Sequence, residues 1–345
     1  MNDPRDVLRA AAIRLGFDLV GFARADLDLT DDFTHYSAFV EAGMHGSMQW
    51  LAAHASSRRS LHTDAVLDGA KSVVCVAERH ASSDDFADPG VLPRIARYGR
   101  GRDYHNHFRR RVRKLAEAVR ALGDGVQARP MVDTAPVLER AWATRAGLGF
   151  VGKSGMLISL TMGSYLSLGE VVTTLAIEPD RDEPLPSRCG RCTRCLDACP
   201  TAAFVAPYVI DARRCVSYLT IEHKGPCDPS LAGGVSPWLF GCDRCQEVCP
   251  YNRFPDVVAR PGSRFAPLDR WAKTSLLELA TIAQDAWTEL ATGTPLSRIS
   301  VVELRRNIVM AAGAEPDPDS MRALAVIADD ADNPSWLRTL ALRCG

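Results

Sequence analysis

The sequence predicts an α+β protein in three consecutive parts: a mixed α/β portion over residues 1–180, a cysteine-rich portion over 181–260 and a short helical region over 261–345. Three observations support this. Apolar residues alternate between helical and extended spacing in the first half. Nine of the eleven cysteines fall between Cys189 and Cys249. Helix-period apolar runs then continue to the end of the chain.

Asp3-Pro4 supplies an N-cap and a first helical residue, and Leu8, Ala11, Ala12 and Leu15 follow at helical spacing. Phe17 to Ala23 and Ser72 to Ala77 read as short apolar strands. Phe108, Val112, Leu115, Val119 and Leu122 give one helix face, with Arg109, Arg110, Arg113 and Lys114 opposite. Val126 to Val132 reads as a strand, followed from about Pro136 by a helix with Gly147 as its C-terminal cap. Met156 to Met162 and Tyr165 to Ile177 read as two extended runs joined by a hairpin turn at Gly163-Ser164. Pro179, Pro184 and Pro186 mark a linker near residue 180. After Pro255 and Pro261 come helix candidates around Leu276 to Ala280, Val301 to Ala312, Met321 to Ile327 and Trp336 to Leu342. The last of these can pair in the HEAT-like, solenoid manner, although one or two units do not make a repeat.

Hydrophobic residues at 46%, charged residues at 24%, and 41 Lys+Arg against 42 Asp+Glu exclude a disordered or strongly polyelectrolyte chain. No apolar run approaches the ~18 residues of a membrane helix, and the N-terminus has no signal-peptide core. A cytoplasmic location without membrane attachment is therefore expected, where thiols stay reduced and clustered cysteines point to metal.

Cys189-x2-Cys192-x2-Cys195-x3-Cys199-Pro200 reproduces the bacterial ferredoxin run, whose fourth cysteine reaches across to a second cluster. The partner run, Cys242-x2-Cys245-x3-Cys249-Pro250, is one thiolate short, and Cys215 is the candidate to supply it. The crossed ligand sets are then Cys189, Cys192, Cys195 and Cys249 for one [4Fe-4S] cluster, and Cys199, Cys215, Cys242 and Cys245 for the other. Cys75, Cys227 and Cys344 are left over. A pair of zinc sites is the competing reading, because paired C-x2-C units also bind zinc.

Gly147 to Ser154 satisfies both the G-x-G-x-x-G and the G-x-x-x-x-G-K-S patterns. Both need a strand before and a helix after, and the predicted order here is the reverse, so a close-packed turn is the better reading. Asp133 stands at a strand end before a Pro-started helix, as either a helix cap or an acid. The segment from Tyr98 to His105, with the arginines after it, either meets phosphates or forms a solvated basic face.

Taken together, several motifs resemble the epoxyqueuosine reductase family. They are Arg97-Tyr98 with Gly101 to His105, Val132 to Arg140, Ala146 to Lys153, Ser217 to Gly225 and Phe240 to Gln246, in family order, within a match extending to about Ala312. The resemblance implies a cobalamin-dependent iron-sulfur enzyme that reduces epoxyqueuosine to queuosine in the tRNA anticodon, the last step of queuosine formation. It implies Asp133 as proton donor, with Arg59, Asp133, Leu168, Ser217, Cys242 and Asp243 against the cobalamin. Lys224 falls where the family touches tRNA, and Arg298, Arg305 and Arg306 lie in the matching helical region. An unidentified electron donor and a monomeric state are expected. Ser154 stands where the family usually has Asn, and Cys227 where it has an aliphatic residue. Two other readings share these parts, a cobalamin reductive dehalogenase and an electron-transfer ferredoxin fused to a binding domain.

Overall fold

The computed structural model describes residues 3–81, 89–253, 258, 263, 265–312 and 317–344; Pro255 and Pro261 lie outside them. Eight strands are β1 (Leu19–Arg24), β2 (Ser72–Arg79), β3 (Ala128–Val132), β4 (Phe150–Val151), β5 (Leu157–Ile158), β6 (Leu166–Thr173), β7 (Phe204–Ala206) and β8 (Val209–Ile210). Four of them form one antiparallel sheet in the order β1-β2-β6-β3. The result is a mixed α/β fold.

Both sheet faces are apolar, and the two-residue period of the strands sorts their side chains. Phe22, Val74, Val76, Val132 and Val171 face the helices Pro4–Arg14 and Tyr104–Arg120. Ala23, Val73, Cys75, Met131 and Val172 face Trp142 on the helix Glu139–Arg145. Gly169 allows the close approach of the long helix, since a Cβ there would lie 2.6 Å from the Phe108 ring.

The first helix forms as expected, with the Asp3 carboxylate accepting from the Arg5 N–H and Pro4 in the first turn. Three expectations fail locally. The helix placed from Pro136 begins at Glu139, although it does end on Gly147, whose φ of +77° closes its last turn. Met156 to Met162 does not pair with Tyr165 to Ile177: only β5 is regular there, and its partner is β4. A bridge between Ser159 and Gly163 closes a tight loop instead, and Asn252 Oδ1 accepts from the Ser164 N–H at 2.7 Å. Residue 180 is not a free linker either. Its carboxylate accepts from the Phe22 N–H at 3.0 Å and pairs with Arg9, which fastens the segment to β1.

Apolar packing crosses the borders at 180 and 260. Val91, Leu92 and Ile95 share a core with Phe240, Trp271, Trp287 and the helices Val301–Ala312, Pro318–Asp329 and Ser335–Cys344. The helix 301–312 is buried along nearly its whole length, and polar groups dock it. The guanidinium of Arg306 is fully buried and donates to Leu219 O at 2.7 Å, His223 O at 2.8 Å and Gly225 O at 3.1 Å. Asn307 Nδ2 donates to Thr220 O and Leu239 O at 2.8 and 2.9 Å.

Arg306→Ala leaves these three carbonyls without their charged donor and is expected to destabilise the fold by about 3 kcal/mol. A shift of the urea midpoint at unchanged slope measures it; a midpoint within error of wild type contradicts it.

Candidate active site and cysteine centres

Asp133 sits in the turn after β3, where the strand ends beside the start of the helix Tyr104–Arg120. It is not a helix cap, because the next helix begins only at Glu139. Its Oδ2 accepts from the Tyr104 hydroxyl at 2.8 Å and from His105 Nε2 at 2.8 Å. His105 Nδ1 in turn lies 2.6 Å from Asp103 Oδ1. The Tyr104 and His105 rings are stacked, with centroids 4.3 Å apart. Asp133 Oδ1 is buried and has no hydrogen-bond partner among the described residues.

Charge follows from this geometry. The two carboxylates, Asp103 first and Asp133 second, raise the His105 value to about 9, so the ring is an imidazolium at neutral pH. Burial pushes Asp133 upward, but the His105 and Tyr104 contacts and the Thr134 N–H outweigh it and hold the carboxyl below its usual range. Beneath lie two further acids. Burial, then the charge of Asp133, lifts Glu139 to about 8, and burial drives Glu170 well upward. Burial thus favours the neutral form of both acids, and Glu139 Oε1, both Glu170 carboxyl oxygens and Trp142 Nε1 find no partner among the described residues.

The other residues expected against a cofactor differ in what they leave free. Leu168 is half-buried on β6 opposite Ala77, with Leu166, Val137 and Leu138 packed on the same core. Ser217 lies in the helix Val216–Ile221. Arg59 is exposed and pairs with Asp28 at 3.0 Å. Asp243 is buried, and its carboxylate accepts from the Arg97 N–H at 2.7 Å and from Gln246 Nε2 at 3.2 Å. A row of rings, Tyr104, Tyr98 and Phe240, spaced 6.3 and 6.0 Å, runs from Asp133 to the loop carrying Cys242.

The cysteines gather in two groups. Cys189, Cys192, Cys195 and Cys249 line one cavity of about 360 Å³, together with Lys153, Arg188 and Arg194. Cys199, Cys215, Cys242 and Cys245 neighbour one another in a second group: burial first, then neighbouring thiols, raises Cys245 well above its usual value and Cys242 to about 12. Backbone N–H groups aim at the sulfurs, from Lys153 to Cys189 at 3.4 Å and from Ala203 to Cys199 at 3.3 Å. Such donors favour thiolate, as ligation requires. Among the described residues no three His, Cys, Asp or Glu converge on a single ion. Cys75 and Cys227 are buried in apolar clusters.

Lys153 explains the false phosphate-loop pattern. β4 and β5 replace the required helix, and Lys153 Nζ donates to Gly190 O at 2.8 Å and Cys192 O at 2.9 Å. Within the Tyr98–His105 segment Arg100 is buried on Ile95 O, Tyr104 and His105 are turned to Asp133, and Arg102 is exposed.

Of the residues expected at tRNA, two are placed otherwise. Arg306 is buried as described above. Arg305 is spent on Ala280 O, Ile282 O, Asp330 and Asn333. Both hold the helical region together and offer nothing to a partner. Lys224 and Arg298 are exposed and line one groove of about 310 Å³ with Trp287, Ser297, Ser300 and Glu303.

Comparison with known proteins agrees with this geometry. Residues 188–252 match the 4Fe-4S double cluster binding domain, and residues 61–134 match the family described as "Epoxyqueuosine reductase QueG, DUF1730". An epoxyqueuosine reductase of Gloeobacter violaceus is 40% identical over 313 residues, 90% of this chain and 96% of that protein. This chain belongs to the epoxyqueuosine reductase family. The Escherichia coli epoxyqueuosine reductase is 34% identical, covering 92% of this chain and 84% of that one. The structure of the Streptococcus thermophilus epoxyqueuosine reductase superposes with a TM-score of 0.84 at 29% identity, over 100% of this chain and 90% of that one. An epoxyqueuosine reductase solved with an epoxyqueuosine-modified tRNA-Tyr stem loop superposes at 0.81 and 28% identity, over 99% of this chain and 88% of that one. The family is one of oxidoreductases, and among the described residues no helix is long and apolar enough to cross a membrane.

Sequence reading placed Tyr104 and His105 in a segment for phosphates or a solvated basic face rather than at Asp133, and gave Glu139 and Glu170 no role of their own. The available signal was Asp103-x-His105 at a helix start, where the first acid caps the helix and also orients the ring.

The His105 ring is expected to titrate near 9 by NMR, and Asp103→Asn to lower that value. The folded value lies above the ~6.5 of a free imidazole, so the stability this cluster contributes is complete below that pH and lost as pH rises through 9. Titration of His105 at its ordinary value contradicts the clamp.

Proposed function

We propose that this chain reduces epoxyqueuosine to queuosine at the wobble position of the tRNA anticodon, in the cytoplasm, as the last step of queuosine formation. The observation that carries the reading is the Asp133 carboxyl, held on one oxygen by a charged imidazole and left free on the other, in a member of this family. In this reading residues 1–180 hold cobalamin, 181–260 hold two [4Fe-4S] clusters, and the HEAT-like helices of 261–345 support the tRNA groove.

The residues fit both groups. The two thiol sets supply four sulfurs each, as two cubanes need: Cys189, Cys192, Cys195 and Cys249 for one, and Cys199, Cys215, Cys242 and Cys245 for the other. The free Asp133 oxygen beside the half-buried apolar shelf of Leu166, Leu168, Val137 and Leu138 suits a large flat ring and a substrate oxygen above it. Arg59, Ser217 and the Cys242-Asp243 loop are the remaining contacts, with Asp243 acting through the loop it anchors to Arg97. Cobalamin, when bound, supplies the strongly reducing centre for the epoxide.

The protein's own residues manage the proton. Converting an epoxide to an alkene and water consumes two electrons and two protons. At neutral pH the movable proton resides on His105 between Asp103 and Asp133, and it reaches the departing oxygen by way of Asp133. Tyr104 keeps Oδ2 in place, and burial favours the neutral form of Glu139 and Glu170 below it. Lys224 and Arg298 face the tRNA, a role supported by the tRNA stem loop bound to the solved relative.

In single-turnover conversion with pre-reduced cobalamin, Asp133→Asn is expected to lower the rate by roughly 10²- to 10⁴-fold with cobalamin binding retained. Wild-type-like turnover contradicts the acid role. The wild-type rate is expected to fall as pH rises through about 9, where His105 loses its proton; a flat profile to pH 10 excludes the imidazolium as the store.

Anaerobic protein is expected to contain about eight irons and eight sulfides, as two cubanes require. Cys249→Ala should damage the cluster based on Cys189 and Cys192, and Cys199→Ala the one based on Cys242 and Cys245. EPR spectra with the opposite pairing reject the crossed assignment.

A further inference from the structure

The two cysteine groups differ in access. Cys215 and Cys245 are half-buried, and their group adjoins the ring row that leads through Phe240 and Tyr98 to Asp133. Cys189, Cys192, Cys195 and Cys249 instead line an open cavity whose mouth carries Arg188 and Arg194. Between Ser187 and Leu196 the sequence holds three arginines, Arg188, Arg191 and Arg194, and no acid. All three are exposed, and none has an ion-pair partner among the described residues. The nearest acid along the chain, Asp197, accepts from the Thr193 hydroxyl at 2.7 Å.

An apolar patch adjoins this basic rim. Val205, Tyr208 and Val209, on the β7–β8 hairpin, are 54%, 48% and 38% exposed. The hairpin is tied to the cavity wall, with the Tyr208 N–H donating to Lys153 O at 2.9 Å and the Tyr208 hydroxyl to Ser187 Oγ at 3.0 Å. Lys153 itself clasps the Cys189–Cys192 loop. A small apolar centre with a one-signed charged rim is the anatomy of a transient protein interface, where charge steers encounter and the apolar contact holds it briefly.

We propose that this face docks an acidic, low-potential one-electron carrier protein, of flavodoxin or ferredoxin type, and that electrons enter the molecule at the outer cysteine group. The inference rests on the cluster reading given under Proposed function. Each encounter moves one electron from the reduced carrier, which is thereby oxidised, to the outer cluster. Two encounters supply the pair that epoxide reduction consumes, and the two protons come from solvent through the acid site. An RNA backbone also suits arginines, but it has no use for the apolar hairpin and carries no electrons to the adjacent cluster.

The test uses anaerobic holoprotein and a bacterial flavodoxin, with the variant Arg191→Glu, at an exposed arginine outside the lining of the cysteine cavity, and a second variant, Val205→Asp, on the exposed hairpin. Iron is quantified first. Binding of oxidised flavodoxin is then measured by calorimetry, and cluster bleaching by the flavodoxin hydroquinone in stopped flow. Both variants should retain iron and be reduced normally by photoreduced deazaflavin, a small donor that needs no docking. With flavodoxin, Arg191→Glu should bind and react several-fold more weakly at low salt, a gap that narrows at high salt, and Val205→Asp should weaken both in the same direction. Iron-loaded variants with wild-type flavodoxin affinity and rate overturn the inference alone. Wild-type protein that takes up no iron overturns the cluster reading and this inference with it. Variants that lose tRNA affinity while keeping the flavodoxin rate assign the face to RNA and overturn the inference.

Discussion

The buried charge of Arg306 is the interaction on which the rest of the architecture hangs. A guanidinium cut off from water must find acceptors inside the protein, and this one finds them on the chain from Leu219 to Gly225. That chain begins within the helix that follows Cys215, while Asn307 beside it reaches Leu239, three residues before Cys242. One turn of the helix 301–312 thus ties the segment after Cys215 to the segment before Cys242. It also places Lys224 on the rim of the groove that Arg298 shares.

The acid site follows a different logic. The two faces of the sheet are packed with apolar side chains, and the carboxyl, hydroxyl and imidazole groups around Asp133 gather where β3 meets the helix N-terminus. Asp103 is both helix cap and ring holder, so one carboxylate fixes the start of the helix and the orientation of His105. Burial favours the neutral form of Glu139 and Glu170, whereas Asp103 and Asp133 are both held below the usual carboxylate range by the His105 ring between them.

The sequence made legible what depends on local spacing. The first helix, the main strands, the glycine cap at Gly147 and the grouping of the cysteines all follow from residue types at fixed intervals. It was silent where partners are distant in the chain. Nothing in Met156 to Met162 says that β5 pairs with β4, because Asn252, which holds the Ser164 turn, lies far downstream. Arg305 and Arg306 look like surface cations in sequence, and only the tertiary carbonyls around them show that they are structural. By its place in the sequence Asp133 read first as a helix cap, and the start of the helix at Glu139 removed that role.

Drawing each thiol set from both cysteine runs makes the two centres into overlapping rings of chain. Neither ring opens without slackening the other, so the iron-binding unit is expected to come apart as a whole. Closing a ring costs entropy that grows only with the logarithm of its length. A long stretch between Cys199 and Cys242 therefore costs little more to close than a short one, and it is this stretch, with Cys215 inside it, that carries the β7–β8 hairpin and Lys224.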